Sequence, residues 1–193
     1  MAKETNIAQI PDDDLMAQVQ QGSELAFNEL YQRYSQRILF FMYKMLRQDE
    51  AKAQDLLQDV FLKIIEAPQK FDVTKSFKTW IFTVAANHCK NYFRSHKGGF
   101  LTLEQAPTAI EQAPTVQLKH PRQGFQQQLQ KALDALPYQY KEAFVLKYKE
   151  GLSLKEIATV MDCPLGTVKS RLNSATKKLS QSLMAYKTSA NNE

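Results

Sequence analysis

The sequence predicts an all-α protein, two small helical domains joined by a flexible linker, with a helix-turn-helix in the C-terminal one. Three observations carry this. The 193 residues hold only 6 glycines, and the long apolar-periodic runs contain little proline. Residues 98–123 break that texture with three of the chain's seven prolines and two of its six glycines, near-zero net charge and no sustained period, as a linker does. Beyond them, a capped short helix, a tight turn and a basic second helix occur together at helix-turn-helix spacing. With 44% hydrophobic and 23% charged residues the chain can build cores, and wholesale disorder is not expected.

Residues 1–11 read as a loose tail ending at Pro11. Asp12, Asp13 and Asp14 follow, where acids favour a helix N-terminus. The helical reading continues with a break near Gly22 and Ser23. After it, Phe27, Leu30, Tyr31, Tyr34, Ile38, Phe41, Met42 and Met45 recur at three- and four-residue steps and predict one apolar stripe. "DEAKAQDLLQDVFLKIIEA" is the next helix and ends before Pro68. A short loop, "PQKFDVTK", leads into a further helix, so the first domain spans 12–97. The second domain, 124–187, reads as two helices meeting near Pro137 and two more around the turn "DCP", and 188–193 is a closing tail.

Charge is unevenly placed. Residues 1–72 carry 8 Lys/Arg against 12 Asp/Glu, whereas 73–97 carry 5 basic residues and no acid. Residues 124–192 have 10 basic and 5 acidic residues. Such blocks suit one surface for a protein partner and two for a polyanion. Chance clustering on solvated faces is the plainer alternative.

Other classes find no support. Cys89 and Cys163 are far apart and form no CxxC pair, and His88, His96 and His120 lack metal-ligand spacing with them. No cofactor is expected. There is no Ser-His-Asp or Cys-His arrangement and no phosphate-cradling glycine loop, so an enzyme is not expected. The N-terminus has no apolar leader and no stretch approaches a membrane span, which places the protein in the cytoplasm unless a partner holds it at a membrane.

In the second domain Ser153 and Glu156 make an S-x-x-E capping box opening a short helix. Pro164 suits the start of the following one. There Val168, Leu172, Ala175 and Leu179 form the buried side. The opposite side offers Gly166, Thr167, Lys169, Ser170, Arg171, Asn173, Ser174, Lys177 and Lys178. Small hydroxylic and basic groups at the N-terminal end of such a helix suit phosphate anchoring and base-edge contact in a major groove. An ordinary hairpin with a basic face is the alternative. Asp162 at the turn tolerates the left-handed conformation better than most residues.

The segment "SFKTWIFTVAANHCKNYFRSHK" is both aromatic-rich and acid-free. On a helical wheel Phe77, Ile81, Val84, Ala85, His88 and Tyr92 gather on one side, the expected core. Thr79, Thr83, Asn87, Lys90 and Arg94 gather opposite, with Trp80 at the border beside Asn87 and Asn91. Amide, hydroxyl and cationic groups are the inventory for phosphates and unpaired base edges. For Phe82 and Phe93 core packing is expected, and for Trp80 both roles stay open.

"AQDLLQDVFLKI", "SFKTWIFTVAANHCKNYFR" and "GLSLKEIATVMDCPLGTVKSRL" resemble, in this order, the core-binding, promoter-melting and upstream-element-binding segments of bacterial sigma factors. With two helical domains and a short linker, the chain resembles the extracytoplasmic-function (ECF) subfamily. The resemblance implies a non-catalytic specificity subunit that binds core RNA polymerase, recognises −10 and −35 promoter elements and promotes melting. It implies that Asp55, Gln58 and Asp59, with Leu62 at their border, dock on the clamp helices of the largest subunit, and that the C-terminal domain meets the flap of the second-largest. The −10 element would be met by Phe71, Asp72, Lys75, Ser76 and Phe77 around a flipped base, and by Trp80, Thr83, Asn87, Lys90, Asn91 and Arg94. The −35 element would be met by Pro164 and the polar face of the last helix. An anti-sigma factor clamping both domains is a further implied partner. The linker would thread the channels of the core enzyme, or serve only as a tether. Where many relatives continue with an arginine-rich helix, this chain has Asn173, Ser174 and Thr176, which puts the strength of phosphate anchoring in doubt.

A stand-alone helix-turn-helix regulator, with an N-terminal domain for sensing or dimerisation, is the competing reading. It would bind duplex DNA unaided and need no melting stripe. A third treats the N-terminal domain purely as a protein-interaction module.

Overall fold

The computed structural model describes residues 6–96 and 121–190, and among these every regular element is helical. The first domain comprises α1 (Asp12–Gln20), α2 (Glu24–Met45), α3 (Glu50–Glu66) and α4 (Phe77–His96). The second comprises α5 (Pro121–Asp134), α6 (Tyr138–Tyr148), α7 (Leu154–Met161) and α8 (Leu165–Ala190).

Local signals start and stop these helices as read. Asp12, Asp13 and Asp14 fill the first turn of α1, favoured by the helix dipole. Gly22 at φ 91 makes the break, a conformation open to glycine, and the Ser23 hydroxyl then caps α2 by accepting from Ala26 N–H at 3.3 Å. α2 ends on Arg47 and Gln48 at φ 59 and 68. Two successive left-handed non-glycine residues are costly. Here Gln48 N–H bonds back to the Tyr43 carbonyl at 2.9 Å and closes the helix. Asp49 opens α3 at once, accepting from Lys52 N–H at 3.0 Å.

The first core lies between Leu15 and Met16 of α1, Leu30, Tyr34, Ile38 and Phe41 of α2, Val60 and Ile64 of α3, and Phe77, Ile81, Phe82 and Ala85 of α4, all buried. Tyr34 meets Phe77, and Phe41 meets Phe82, edge to face at centroid distances of 5.3 and 5.7 Å, a favoured aromatic geometry. In the second domain Leu146, Leu152, Ile157, Val160, Val168 and Leu172 are buried together, and Ala132 and Leu136 of α5 pack with Ala175 and Leu179 of α8.

Several expectations are corrected. Residues 7–9 of the N-terminal tail form a 3₁₀ turn, clasped by Arg33, which donates to the carbonyls of Ala8 and Ile10 at 2.9 Å each. A guanidinium satisfying two backbone carbonyls orders what composition alone reads as loose. The linker ends before 123, because α5 begins at Pro121; residues 98–120 lie outside the described residues. α8 runs to Ala190, past the expected boundary at 187. Tyr31, expected in the core stripe of α2, is 44% exposed. The stripe drifts around the helix, and α3 reaches only one side of that ring.

The two domains also touch, which the sequence does not announce. α7 lies against α4, and α6 against α2. Phe93 of α4 meets Tyr138 of α6 with centroids 5.8 Å apart.

Candidate nucleic-acid interface

The loop before α4 is built by α1. Gln20 Nε2 donates to the carbonyls of Pro68 at 3.0 Å and Phe71 at 2.7 Å, and Gln69 Nε2 returns a bond to the Gln20 carbonyl at 3.0 Å. Asp72 then folds the chain over, its Oδ1 accepting from Thr74 N–H at 3.0 Å and Thr74 Oγ1 at 2.7 Å. Those bonds, with Lys75 nearby, hold the Asp72 carboxyl below its usual range. Asp72, Lys75 and Ser76 are exposed.

Phe71 and Phe77 are not available as stacking surfaces. Both are buried, at 2% and 0% exposure, and their rings pack at 5.7 Å. They wall the loop from beneath, because an aromatic ring gains more from the dry core than from the loop surface. Trp80 is half-buried, with its ring 5.4 Å from Phe71 and 5.8 Å from Phe77. It therefore packs on one face and is open on another.

Along α4, Asn87, Asn91 and Arg94 are exposed and Thr83 and Lys90 half-buried. At 100° per residue these five and Trp80 form one stripe. Thr83 turns its hydroxyl to the Thr79 carbonyl at 2.8 Å. Thr79, expected on the open polar side, is buried at 9% exposure, with its hydroxyl 3.1 Å from Glu156 Oε1. Lys90 Nζ lies 3.3 Å from Oε1 of the buried Glu142, at ion-pair distance but off hydrogen-bond alignment. The second domain thus covers Thr79, Lys90 and Phe93, along one edge of that stripe.

On α3, Asp55, Gln58, Asp59 and Leu62 are all exposed, so the steps of three, one and three bring them to one face. Lys52 pairs with Asp55 at 3.5 Å. His88 Nδ1 sits 4.0 Å from Asp59 and its Nε2 lies 2.9 Å from Lys63 Nζ. Burial, then Lys63, push the His88 pKa down against the pull of Asp59, so the imidazole itself adds no positive charge beside Asp59 near neutral pH. Around it stand exposed apolar groups that the sequence reading missed: Leu25, Tyr31 and Ile65, with Leu62 50% exposed. Their helical spacing resembles that of core positions, and only the missing neighbour distinguishes them.

The turn before α8 forms as expected. Ser153 and Glu156 complete the capping box, with Ser153 N–H donating to Glu156 Oε2 at 2.7 Å, and Asp162 takes φ 51. Burial raises the Glu156 carboxyl, but the bonds from Ser153 and Thr79 outweigh it and hold the pKa low. Pro164, Gly166, Lys169, Ser170, Asn173 and Lys177 are exposed, and Thr167, Arg171 and Ser174 half-buried. Val168, Leu172, Ala175 and Leu179 are buried behind them. Ser170 Oγ bonds to the Thr167 carbonyl at 2.9 Å, and Arg171 is drawn toward Cys163 Sγ at 3.4 Å. Together they present hydroxyl, amide and cation on a helix whose N-terminal end carries positive dipole charge. The described residues contain no His/Cys/Asp/Glu group able to hold a metal ion, and no described helix is long and apolar enough to cross a membrane.

Comparison with known proteins gives this geometry a context. The sigma-70 region 2 family matches residues 30–98, and the sigma-70, region 4 family matches residues 126–179. The chain is similar to the RNA polymerase sigma-H factor of Pseudomonas aeruginosa, 30% identical over 186 residues, covering 92% of this chain and 96% of that protein. It is also similar to the ECF RNA polymerase sigma-E factor of Haemophilus influenzae, 30% identical over 173 residues, with 85% and 90% covered. Among solved structures, CnrH in complex with the cytosolic domain of CnrY superposes with a TM-score of 0.66 at 24% identity, covering 90% of this chain and 97% of that one. The sigma factor RpoE bound to the anti-sigma factor NepR, from Bartonella quintana, gives a TM-score of 0.61 at 25% identity, covering 82% and 96%.

Proposed function

The chain belongs to the sigma-70 family of RNA polymerase sigma factors, in its ECF group, and from that premise we propose how its surfaces divide the work of initiation. A sigma factor binds core RNA polymerase, directs it to promoters and promotes opening of the DNA. In this chain α3 docks on the polymerase through Asp55, Gln58, Asp59 and Leu62, all exposed on one face. The clamp helices of the largest subunit are the proposed contact, and the second domain meets the flap of the second-largest.

The stripe Trp80, Thr83, Asn87, Lys90, Asn91 and Arg94 takes the melted −10 strand. The loop at Asp72, Lys75 and Ser76 receives the flipped base. The exposed face of α8 from Pro164 to Lys177 reads the −35 element in the major groove. The observation that carries this reading is that these residues are exposed or half-buried along continuous helix faces, while Val60 and Ile64 of α3, Ile81 and Ala85 of α4 and Val168 and Leu172 of α8 are turned inward.

An anti-sigma factor is the proposed inhibitor, since two structures of this fold were solved in complex, one with the cytosolic domain of CnrY and one with the anti-sigma factor NepR. The protein acts in the cytoplasm and has no catalytic activity of its own. The stand-alone regulator is disfavoured because residues 30–98 match a region 2 domain rather than a sensing one.

Reconstituted transcription on a genomic promoter library tests the reading. Core polymerase with this protein should initiate at a discrete promoter set and core alone should not. Failure to bind core, or initiation nowhere, would overturn it.

A further inference from the structure

The loop taken above to receive the flipped base exposes residues 72–76 between two buried ones, Phe71 and Phe77. Both of its ends are bonded to α1, a helix that carries none of the residues assigned to DNA. At the entry, the two amide hydrogens of Gln20 Nε2 are spent on main-chain carbonyls, at 3.0 Å to Pro68 and 2.7 Å to Phe71. Gln69 Nε2 answers by donating to the Gln20 carbonyl at 3.0 Å, in the last turn of α1, where carbonyls lack an intrahelical donor. At the exit, Asp13 Oδ1 accepts from the Phe77 N–H at 2.6 Å.

Asp13 and Gln20 are seven positions apart. That is about 20° short of two full turns, so the two side chains leave one face of α1, rooted about 10 Å apart along its axis. Fully extended, the chain from Phe71 to Phe77 would reach about 20 Å. The two prongs hold it well short of that reach, and it arches. Lys75 N–H turns back to the Asp72 carbonyl at 2.9 Å, and Thr74 closes on the Asp72 carboxylate. Burial keeps both phenyl rings in the core when a bond to α1 is lost, because it outweighs one hydrogen bond. The tilt of the peptide planes between the rings has no such anchor and depends on Gln20 and Asp13.

We propose that Gln20 and Asp13 set the base preference at the −10 element without touching DNA, by fixing the arch that presents Asp72, Lys75 and Ser76 to an unpaired base. The inference rests on the assignment of this loop to the flipped base made above. A flipped base is told from the other three by hydrogen bonds to its Watson–Crick edge. Preference is a difference of affinities, and it needs donors and acceptors held to within about 0.5 Å. A loosened arch settles around any base, so it loses preference before it loses binding. Gln20 and Asp13 are thus positioning residues, and α1 is the gauge of the pocket.

Transcription by the holoenzyme, core polymerase with the full chain, tests this on a promoter recovered from the genomic library. One template set is randomised across the −10 element and a second across the −35 element, each barcoded downstream, so that sequenced transcripts give the preference at every position. Gln20→Met keeps the length of the side chain and loses its donors. Asp13→Ala loses the acceptor that Asp13→Asn keeps. Gln20→Met and Asp13→Ala should each flatten the preference at one −10 position by at least about fivefold, the scale of one hydrogen bond. Asp13→Asn should keep the wild-type preference, and all three should keep the −35 preference. A merely structural loss lowers yield on every template alike and leaves these ratios unmoved. The variant carrying both Asp72→Ala and Lys75→Ala probes the loop itself. If it changes the −10 preference while Gln20→Met and Asp13→Ala match wild type, the gauge is overturned. If it leaves the −10 preference as in wild type, the assignment of the loop to the base is overturned, and the gauge with it. Circular dichroism checks folding, and if Gln20→Met loses its helical signal the Asp13 pair decides.

Discussion

Asp13, in the first turn of α1, accepts a hydrogen bond from the backbone N–H of Phe77 at 2.6 Å, across 64 residues of chain. It caps the N-terminus of α4 from another helix, beside the local cap in which Ser76 Oγ accepts from Thr79 N–H at 3.3 Å. The loop and α4 are thus set by α1. Asp13→Ala should cost about 1 kcal/mol of stability, the usual worth of a capping side chain, and Asp13→Asn distinctly less. Urea unfolding measures both, and hydrogen exchange of residues 71–79 should quicken first in the alanine variant.

Asp59 stands exposed above the neutral His88. Asp59→Lys should weaken core polymerase binding by about tenfold or more, equivalent to about 1.4 kcal/mol. Affinity for duplex DNA carrying the −35 element should not fall. Titration of labelled protein with core enzyme, beside a mobility-shift assay, separates the two.

Asn87 offers an amide on the exposed stripe of α4, and an amide can both donate to and accept from an unpaired base edge. Asn87→Ala should lower open-complex formation by about fivefold, consistent with roughly 1 kcal/mol for one hydrogen bond, and leave core binding within about twofold. Permanganate reactivity of promoter thymines reads the first, and a core pull-down the second. Equal loss of both would count against the assignment.

Lys141 is buried, with Nζ donating to the Asp134 carbonyl at 2.9 Å. Burial, opposed by Asp134 and reinforced by Lys44 and Arg47, lowers its pKa to about 8 from 10.5. Between those values the unfolded chain binds more protons than the folded one, so stability rises with pH across the window. Thermal midpoints should climb from pH 8 toward pH 10 relative to Lys141→Met, in which that slope is lost. Tyr34, whose phenol burial and Asp12 push upward, opposes the trend above its ordinary range. The difference between the two proteins, rather than either curve, isolates Lys141.

Much of the fold is legible in residue order because helix starts and stops are local. The aspartates of α1, Gly22 with Ser23, Asp49, the Ser153–Glu156 box and the left-handed Asp162 each act within a few residues of themselves. The inward set of α8 follows from its spacing of four, three and four. The candidate faces on α3 and α8 are legible for the same reason, since a helical wheel needs only the order of residues.

What periodicity cannot supply is the neighbour on the other side. Tyr31 has the spacing of a core residue and lies open, whereas Thr79 has the chemistry of a surface residue and is covered. Phe71 and Phe77 look fit to stack a base, but they close the core beneath the loop.

From sequence alone came the helices, their caps, the acidic and acid-free blocks and the order of three family-like segments. All depend on interactions spanning one to four residues or on composition. Tertiary structure alone decided that Arg33 ties down the tail, that Asp13 caps α4, and that four carboxylates of the basic domain face Arg37, Lys44, Thr79 and Lys90. Those partners lie between about 20 and about 110 positions apart in the chain, and electrostatic and hydrogen-bond energies depend on separation in space rather than along the chain.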